Sequence, residues 1–277
     1  PSQGVHLVFD RSFFPGEDAM MIPKTSDGRV LFAVPWHDKV IVGTTDVQVD
    51  NHDAEPKAKE EEVDFILETF NRFIEKEVTR DDVKSIYAGL RPLAAPDDES
   101  GSTKEISRGH KILISDSDLI TVTGGKWTTY RKVAEDSLDK VINIGKLAKK
   151  SCSTYDLPIH GAVKTTDTND HLYVYGSDKP KLQDLIDNDP ELGEKIHPDL
   201  DFLKVEVLWA ARNEMARTVE DVLARRVRVL FLDAVSSIEM APEVAKILAK
   251  ELNKDKQWEE KQVADFTALA KGYLIRS

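Results

Sequence analysis

The chain has 277 residues, 40% of them apolar and 32% charged, with a formal net charge of -12. That size suits one large domain or two ordinary ones with a sizeable core, and the scattered acids argue against a nucleic-acid surface, which needs clustered lysine and arginine. The single cysteine, Cys152, allows no intrachain disulfide and no zinc spacing, and no apolar run reaches the ~18 residues of a spanning helix.

The first 125 residues read as strands and turns. GVHLVFD (4–10), DAMMIPK (18–24), GRVLFAVPW (28–36) and KVIVGTTD (39–46) are short apolar runs divided by Gly, Pro, Asp and Ser. Turns at SDG (26–28) and HD (37–38) predict an antiparallel meander. In the segment 55–78, Val63, Ile66, Leu67, Phe70, Phe73 and Ile74 recur at helical spacing, which predicts one amphipathic helix. Strands resume at 83–93, 110–115 and 119–124. A helix from Lys126 to about Ile144 follows, with Val133, Ala134, Leu138 and Val141 on one side.

Between 145 and 170 the chain is polar and aperiodic, which reads as a linker or long loop. Helices are predicted beyond it at 179–188, 203–215, 218–233, 241–253 and 258–274, the third opened by Thr218 with Glu220 and Asp221 behind it. The expected fold is α+β over 1–150, an antiparallel sheet with packed helices, followed by an all-α domain over 151–277.

Five places carry candidate chemistry, each with a plain structural alternative. The first is TVTGGKWTTY (121–130), where a strand meets a helix. Gly124 and Gly125 permit close backbone approach, the helix N-terminus carries about half a positive charge, and Lys126 adds a full one. Thr128 and Thr129 would either join such an anion site or simply cap the helix. Arg91, on a stiff backbone between Leu90 and Pro92, suits bidentate anion capture or a surface ion pair with the acids at 97–99. Arg108 in EISRGHKI repeats that pattern. His6 faces away from Val5 and Leu7 and is either a general base or a structural histidine. GTTD (43–46) reads as a turn with Asp46 bonding local backbone. Arg225, Arg226 and Arg228 read as a solvated face paired with Glu220, Asp221 and Glu214, and Trp127 and Trp209 as packing residues. No metal site is expected.

Taken in order, FAVPWHDKVIVGTTD, AGLRPL, ISRGH and VTGGKWTTYRKVAE, followed by VEVLWAARNEMARTVEDVLARRVRVLFLD, resemble the FAD-dependent glycerol-3-phosphate dehydrogenases and the related glycerophosphate oxidases. The resemblance spans roughly residues 1 to 275. It implies that GGKWTT approaches the isoalloxazine ring and that its helix N-terminus stabilises negative charge on the reduced flavin. It further implies that Arg91 and Lys126 line the substrate pocket, that Arg108 is a phosphate partner, and that His6 lies near the reacting carbon. Family members carry a GxGxxG segment for FAD, and this chain has no such fingerprint. The expectation is therefore a C-terminal portion that binds FAD poorly alone, is inactive by itself, and self-associates through unpaired strands.

Glycerol 3-phosphate is the implied substrate and dihydroxyacetone phosphate the product. Quinone and O2 both stay open as electron acceptor, and a homodimer and peripheral contact with the cytoplasmic face of the inner membrane are compatible with a cytoplasmic protein. No nucleic acid is implied. Two rival readings remain: a helical interaction or dimerisation module, and a flavoprotein acting on another hydroxy or amino acid.

Overall fold

A computed structural model describes residues 1–26, 28–50, 53–91 and 109–275. The fold is α+β with a helical C-terminal region. Residue contacts group the chain into two compact units, each assembled from three stretches. One comprises Pro1–Gly4, Asp46–Pro56 and Gly89–Ile159, and the other Val5–Thr45, Lys57–Ala88 and His160–Ser277.

Among the described residues one sheet has six strands. Strands β1 (Ser2–Asp10), β2 (Met20–Ile22), β3 (Leu31–Trp36), β4 (Lys39–Gly43) and β5 (Val47–Gln48) lie in the order β2-β3-β4-β1-β5, and β6 (Ser85–Arg91) adds to β1. The predicted meander holds only for β2-β3-β4. The strand that opens the chain inserts beside β4, with His6 opposite Gly43 and Asp10 opposite Lys39. The turn at 37–38 is present as read: Trp36 pairs with Lys39 across it, and His37 and Asp38 both take positive φ, 45° and 59°. That conformation twists a two-residue hairpin the same way as its strands.

Helix α1 (Glu60–Asn71) covers one face of this sheet. Its period places Val63, Ile66, Leu67 and Phe70 against Val5, Leu7, Phe9, Leu31, Ala33, Val40 and Val42. Three glutamates in its first turn complement the helix dipole. The helix is shorter than the periodic stretch, so Phe73 lies beyond it and is half exposed.

The helical region follows the predicted spacing with two exceptions. Helices α3 (Lys179–Asn188) and α4 (Lys204–Asn213) match the sequence reading closely. The predicted helix 218–233 is instead a π-helical turn, Asp221–Arg226, and a single α-turn, α5 (Val229–Leu232). Arg228 between them sits at φ 62° and ψ 21°, which breaks the helix. Thr218 does open the turn: its hydroxyl accepts from the Asp221 amide at 3.0 Å, and Asp221 Oδ2 accepts from the Thr218 amide at 3.0 Å. Helix α6 begins earlier than read, at Ala234, because Asp233 caps it by accepting from the Ser236 amide at 3.0 Å, and it runs to Glu251 with Pro242 inside. Helix α7 spans Lys256–Ala270. Sheet and helices are joined through Ser85, whose hydroxyl donates to the Leu230 carbonyl at 2.8 Å, and through the Ala234 amide on the Lys84 carbonyl at 3.0 Å.

The smaller unit contains a hairpin of β7 (His110–Ile114) and β8 (Ile120–Gly124), then helix α2 (Tyr130–Ile144). Among the described residues, none between 89 and 159 belongs to a buried hydrophobic cluster. Leu138 and Val141, predicted as the packed face of α2, are exposed, as are Leu113, Ile114 and Leu119 of the hairpin. Trp127, read as a packing residue, is 87% exposed and stacks on Tyr130, while Trp209 is buried with Leu172, Leu182 and Val205.

Candidate functional site

His6 lies in the middle of the sheet in the larger unit. Its ring stacks on Tyr87 of β6, centroids 5.2 Å apart and 17° from parallel, and the Tyr87 ring meets the edge of Phe231 at 5.1 Å. Burial pushes the Tyr87 hydroxyl up to about 12, so it is a neutral phenol at any ordinary pH. On the neighbouring strand the cross-strand partner is Gly43, and this glycine is required by space. A Cβ there would stand 2.4 Å from His6 Cδ2 and 2.9 Å from the Val5 carbonyl oxygen. The sheet thus presents a histidine held by an aromatic ring and fitted over a bare backbone.

In the GTTD turn, Thr45 and Asp46 are tied to distant residues, while the Thr44 hydroxyl donates to the Thr45 carbonyl at 3.2 Å. Thr45 Oγ1 accepts from the Val5 amide at 3.0 Å and donates to Glu62 Oε1 at 2.6 Å, with both side chains buried. Asp46 corrects the sequence reading of a local turn bond. Its Oδ1 accepts from the Ser2 hydroxyl and stands 3.6 Å from Arg91 Nη1. Arg91 Nη1 is also 3.4 Å from Ser2 Oγ. The guanidinium is therefore steered by a carboxylate and a hydroxyl at the end of β6, half-buried, with further donors in its planar fork.

Gly124 and Gly125 take φ of 76° and 84°, conformations that favour glycine, where β8 leaves the hairpin. The next residues form a 3-10 turn, Trp127–Thr129, that leads into α2. The two hydroxyls differ. Thr129 Oγ1 donates to the Lys126 carbonyl at 2.9 Å and accepts from its amide at 3.3 Å, so it caps the turn. Thr128 and the Lys126 ammonium are exposed.

One residue escaped the sequence reading. His110 is the register partner of Gly124, its Cβ lies 3.4 Å from where a Gly125 Cβ would be, and its Nε2 is 3.1 Å from Asp136 Oδ2 on α2. Its place beside the glycines depends on the hairpin register, which no local motif announces. Arg108 lies outside the described residues. The arrangement fits an anionic ring edge or oxyanion: glycine backbone that can be approached closely, a helix start, and an exposed lysine.

Residues 1–131 match the family model described as FAD dependent oxidoreductase, and residues 117–260 match that of the C-terminal domain of alpha-glycerophosphate oxidase. The chain is thus a flavoprotein-family chain by class. It belongs to the family of FAD-dependent glycerol-3-phosphate dehydrogenases and alpha-glycerophosphate oxidases. Relatives include the probable mitochondrial glycerol-3-phosphate dehydrogenase of Caenorhabditis elegans, 35% identical over 91% of this chain, and the mitochondrial glycerol-3-phosphate dehydrogenase of Bos taurus, 34% identical over all of it. The chain spans 38% and 41% of their respective lengths. The structure of the glycerol-3-phosphate dehydrogenase from Bacillus halodurans complexed with FAD superposes with a TM-score of 0.81 at 28% identity, covering 99% of this chain and 57% of that one.

Proposed function

We propose that the protein carrying this chain oxidises sn-glycerol 3-phosphate to dihydroxyacetone phosphate. The observation that carries this reading is the Gly124–Gly125 turn into α2 with Lys126 exposed at its start, within a chain of this family. When bound, FAD supplies a two-electron acceptor for the hydride on the substrate's C2. Gly124, Gly125 and Thr128 would lie against the flavin, with Thr129 holding the turn in shape.

Arg91 and Lys126 bind the phosphate, and Arg108 is proposed as a further cation for it. His6 takes the 2-hydroxyl proton, its ring orientation fixed by Tyr87 and Gly43. We assign the flavin-facing and substrate-facing roles to residues 1–150 and treat 151–277 as a supporting helical domain. Arg91→Ala should lower kcat/KM by roughly ten- to a hundredfold, the worth of a charged hydrogen bond left unmade. Steady-state kinetics on the FAD-loaded protein checks this, and an unchanged kcat/KM would remove Arg91 from the site.

One second reading has a specific observation in its favour: the helical match is to a domain described from alpha-glycerophosphate oxidase. An oxidase would use the same residues and pass electrons to O2, releasing peroxide, whereas a dehydrogenase would pass them to a quinone. Among the described residues no helix is long and apolar enough to cross a membrane. We propose peripheral contact with the cytoplasmic face of a membrane and a homodimer as the assembly to look for.

A further inference from the structure

A cleft of about 320 Å³ opens in the larger unit, lined by His37, His171, Tyr175, Glu206, Arg226 and Arg228 among others. We propose that this cleft binds a small organic anion, its carboxylate or phosphate group held by Arg228. The inference goes beyond the oxidation of glycerol 3-phosphate and does not depend on it.

The first argument is the state of Arg228. Its two neighbours in the arginine cluster are paired: Arg225 with Glu220 and with Asp221 at 3.0 Å, Arg226 with the Glu214 carbonyl and, at 3.7 Å, the Glu214 carboxylate. Arg228 has no carboxylate within ion-pair distance among the described residues. Its Nε is buried without a hydrogen-bond partner, a condition that native structures rarely leave uncompensated. The guanidinium lies 4.9 Å over the Trp36 ring, which fixes its plane. The backbone beneath it holds a left-handed conformation that is uncommon for any residue but glycine. The buried Val229 and Leu230 that follow keep it there.

The second argument is that the acids lining the cleft are already committed: Asp178 pairs with Lys181 at 2.8 Å and with His160 at 2.5 Å, and Glu214 with Arg226 at 3.7 Å. Glu206, 2% exposed, has both oxygens engaged: Oε1 accepts from the Tyr175 hydroxyl at 3.0 Å, and Oε2 accepts from the Leu203 amide at 2.7 Å and lies 2.8 Å from His171 Nε2. Burial disfavours charge on His171, but Glu206 more than offsets it and holds the pKa above the ordinary value. Glu206 is thereby balanced by its own histidine rather than by Arg228. Across the cleft, His37 sits on the positive-φ turn between β3 and β4, its ring 4.7 Å from that of Trp36. Burial and Arg228 hold its pKa below the ordinary value, which leaves a neutral imidazole able to donate or accept one hydrogen bond. A cation would be repelled by Arg228. An oxyanion in the cleft would accept in-plane hydrogen bonds from the edge of the guanidinium fork.

The test is calorimetric titration of the chain at constant ionic strength with inorganic phosphate and, separately, with succinate, using chloride as the control. Saturable binding of either is expected, tighter phosphate binding assigning a phosphoryl ligand and tighter succinate binding a carboxylate. Arg228→Gln should weaken binding roughly ten- to a hundredfold, while Arg80→Gln, whose arginine pairs with Glu60 and Asp64 outside the cleft, should change it less than twofold. Because Arg228 also packs on Trp36, the unmodified chain provides a second readout: the ring signals of His37 and His171 in an NMR spectrum should move along the same saturation curve. No saturable binding of either anion, equal weakening by both substitutions, or binding that leaves both histidines unmoved would overturn the proposal.

Discussion

Gly43→Ala is expected to be the most damaging single-methyl change in the sheet. The new Cβ has no room: His6 Cδ2 would be 2.4 Å away and the Val5 carbonyl oxygen 2.9 Å. The carbonyl belongs to β1, whose ladder with β4 starts at the His6–Gly43 pair and runs to Asp10–Lys39, so backbone movement there would disturb the register around His6 and Gly43. The ring can yield only by swinging off Tyr87. Overpacking of this kind costs about 1–3 kcal/mol, measurable by urea denaturation. If His6 is the base, misplacing it should also lower kcat by roughly a hundredfold or more, since general-base catalysis contributes about 10²–10⁴. His6→Gln should lower kcat similarly while leaving stability nearly intact. A Gly43→Ala protein with normal stability and normal kcat would show that neither the fit nor the histidine matters.

Glu206→Ala should cost more stability than any exposed-charge substitution in the chain. It strips the Tyr175 hydroxyl, the Leu203 amide and His171 of their shared acceptor inside the larger unit. Removing one partner of a buried charged pair costs about 3–5 kcal/mol. The pH dependence identifies the cause. His171 is raised above its ordinary value of 6.5 in the folded chain, so its contribution is fully present below 6.5 and is lost as pH rises through the higher folded value. The chain should therefore lose stability as pH climbs from 6.5 through that window, and Glu206→Ala should flatten this slope. A slope that survives in the variant would assign the effect to another group.

The sequence made local features legible and left long-range ones hidden. Helical spacing in α1 and α3 and the paired positive-φ turn at His37–Asp38 could be read because each follows from neighbours within a few residues. The Thr218–Asp221 reciprocal cap could be read for the same reason. The insertion of β1 beside β4 could not, because a meander and this order share one pattern of strands and turns. The Asp46 bond to Ser2 and its pairing with Arg91 likewise join residues far apart in sequence. Arg228 defeated the helical reading of 218–233 for a subtler reason: the apolar period continues through it, and only the backbone reveals the left-handed break.

The candidate site was partly legible in the same sense. Gly124, Gly125 and Lys126 announced a strand-to-helix junction, and the structure has one. Which threonine caps it required coordinates: Thr129 does so, and Thr128 stays exposed. His110 was invisible until the hairpin register set it beside the glycines.

The proposed oxidation of glycerol 3-phosphate belongs to the full-length protein that carries this chain. The most direct measurement adds glycerol 3-phosphate, without oxygen, to the FAD-loaded full-length protein that carries this chain while the visible flavin band is followed. The account predicts that the band bleaches, and that it bleaches far more slowly in Arg91→Ala. A flavin that stays oxidised in the presence of saturating glycerol 3-phosphate would contradict it.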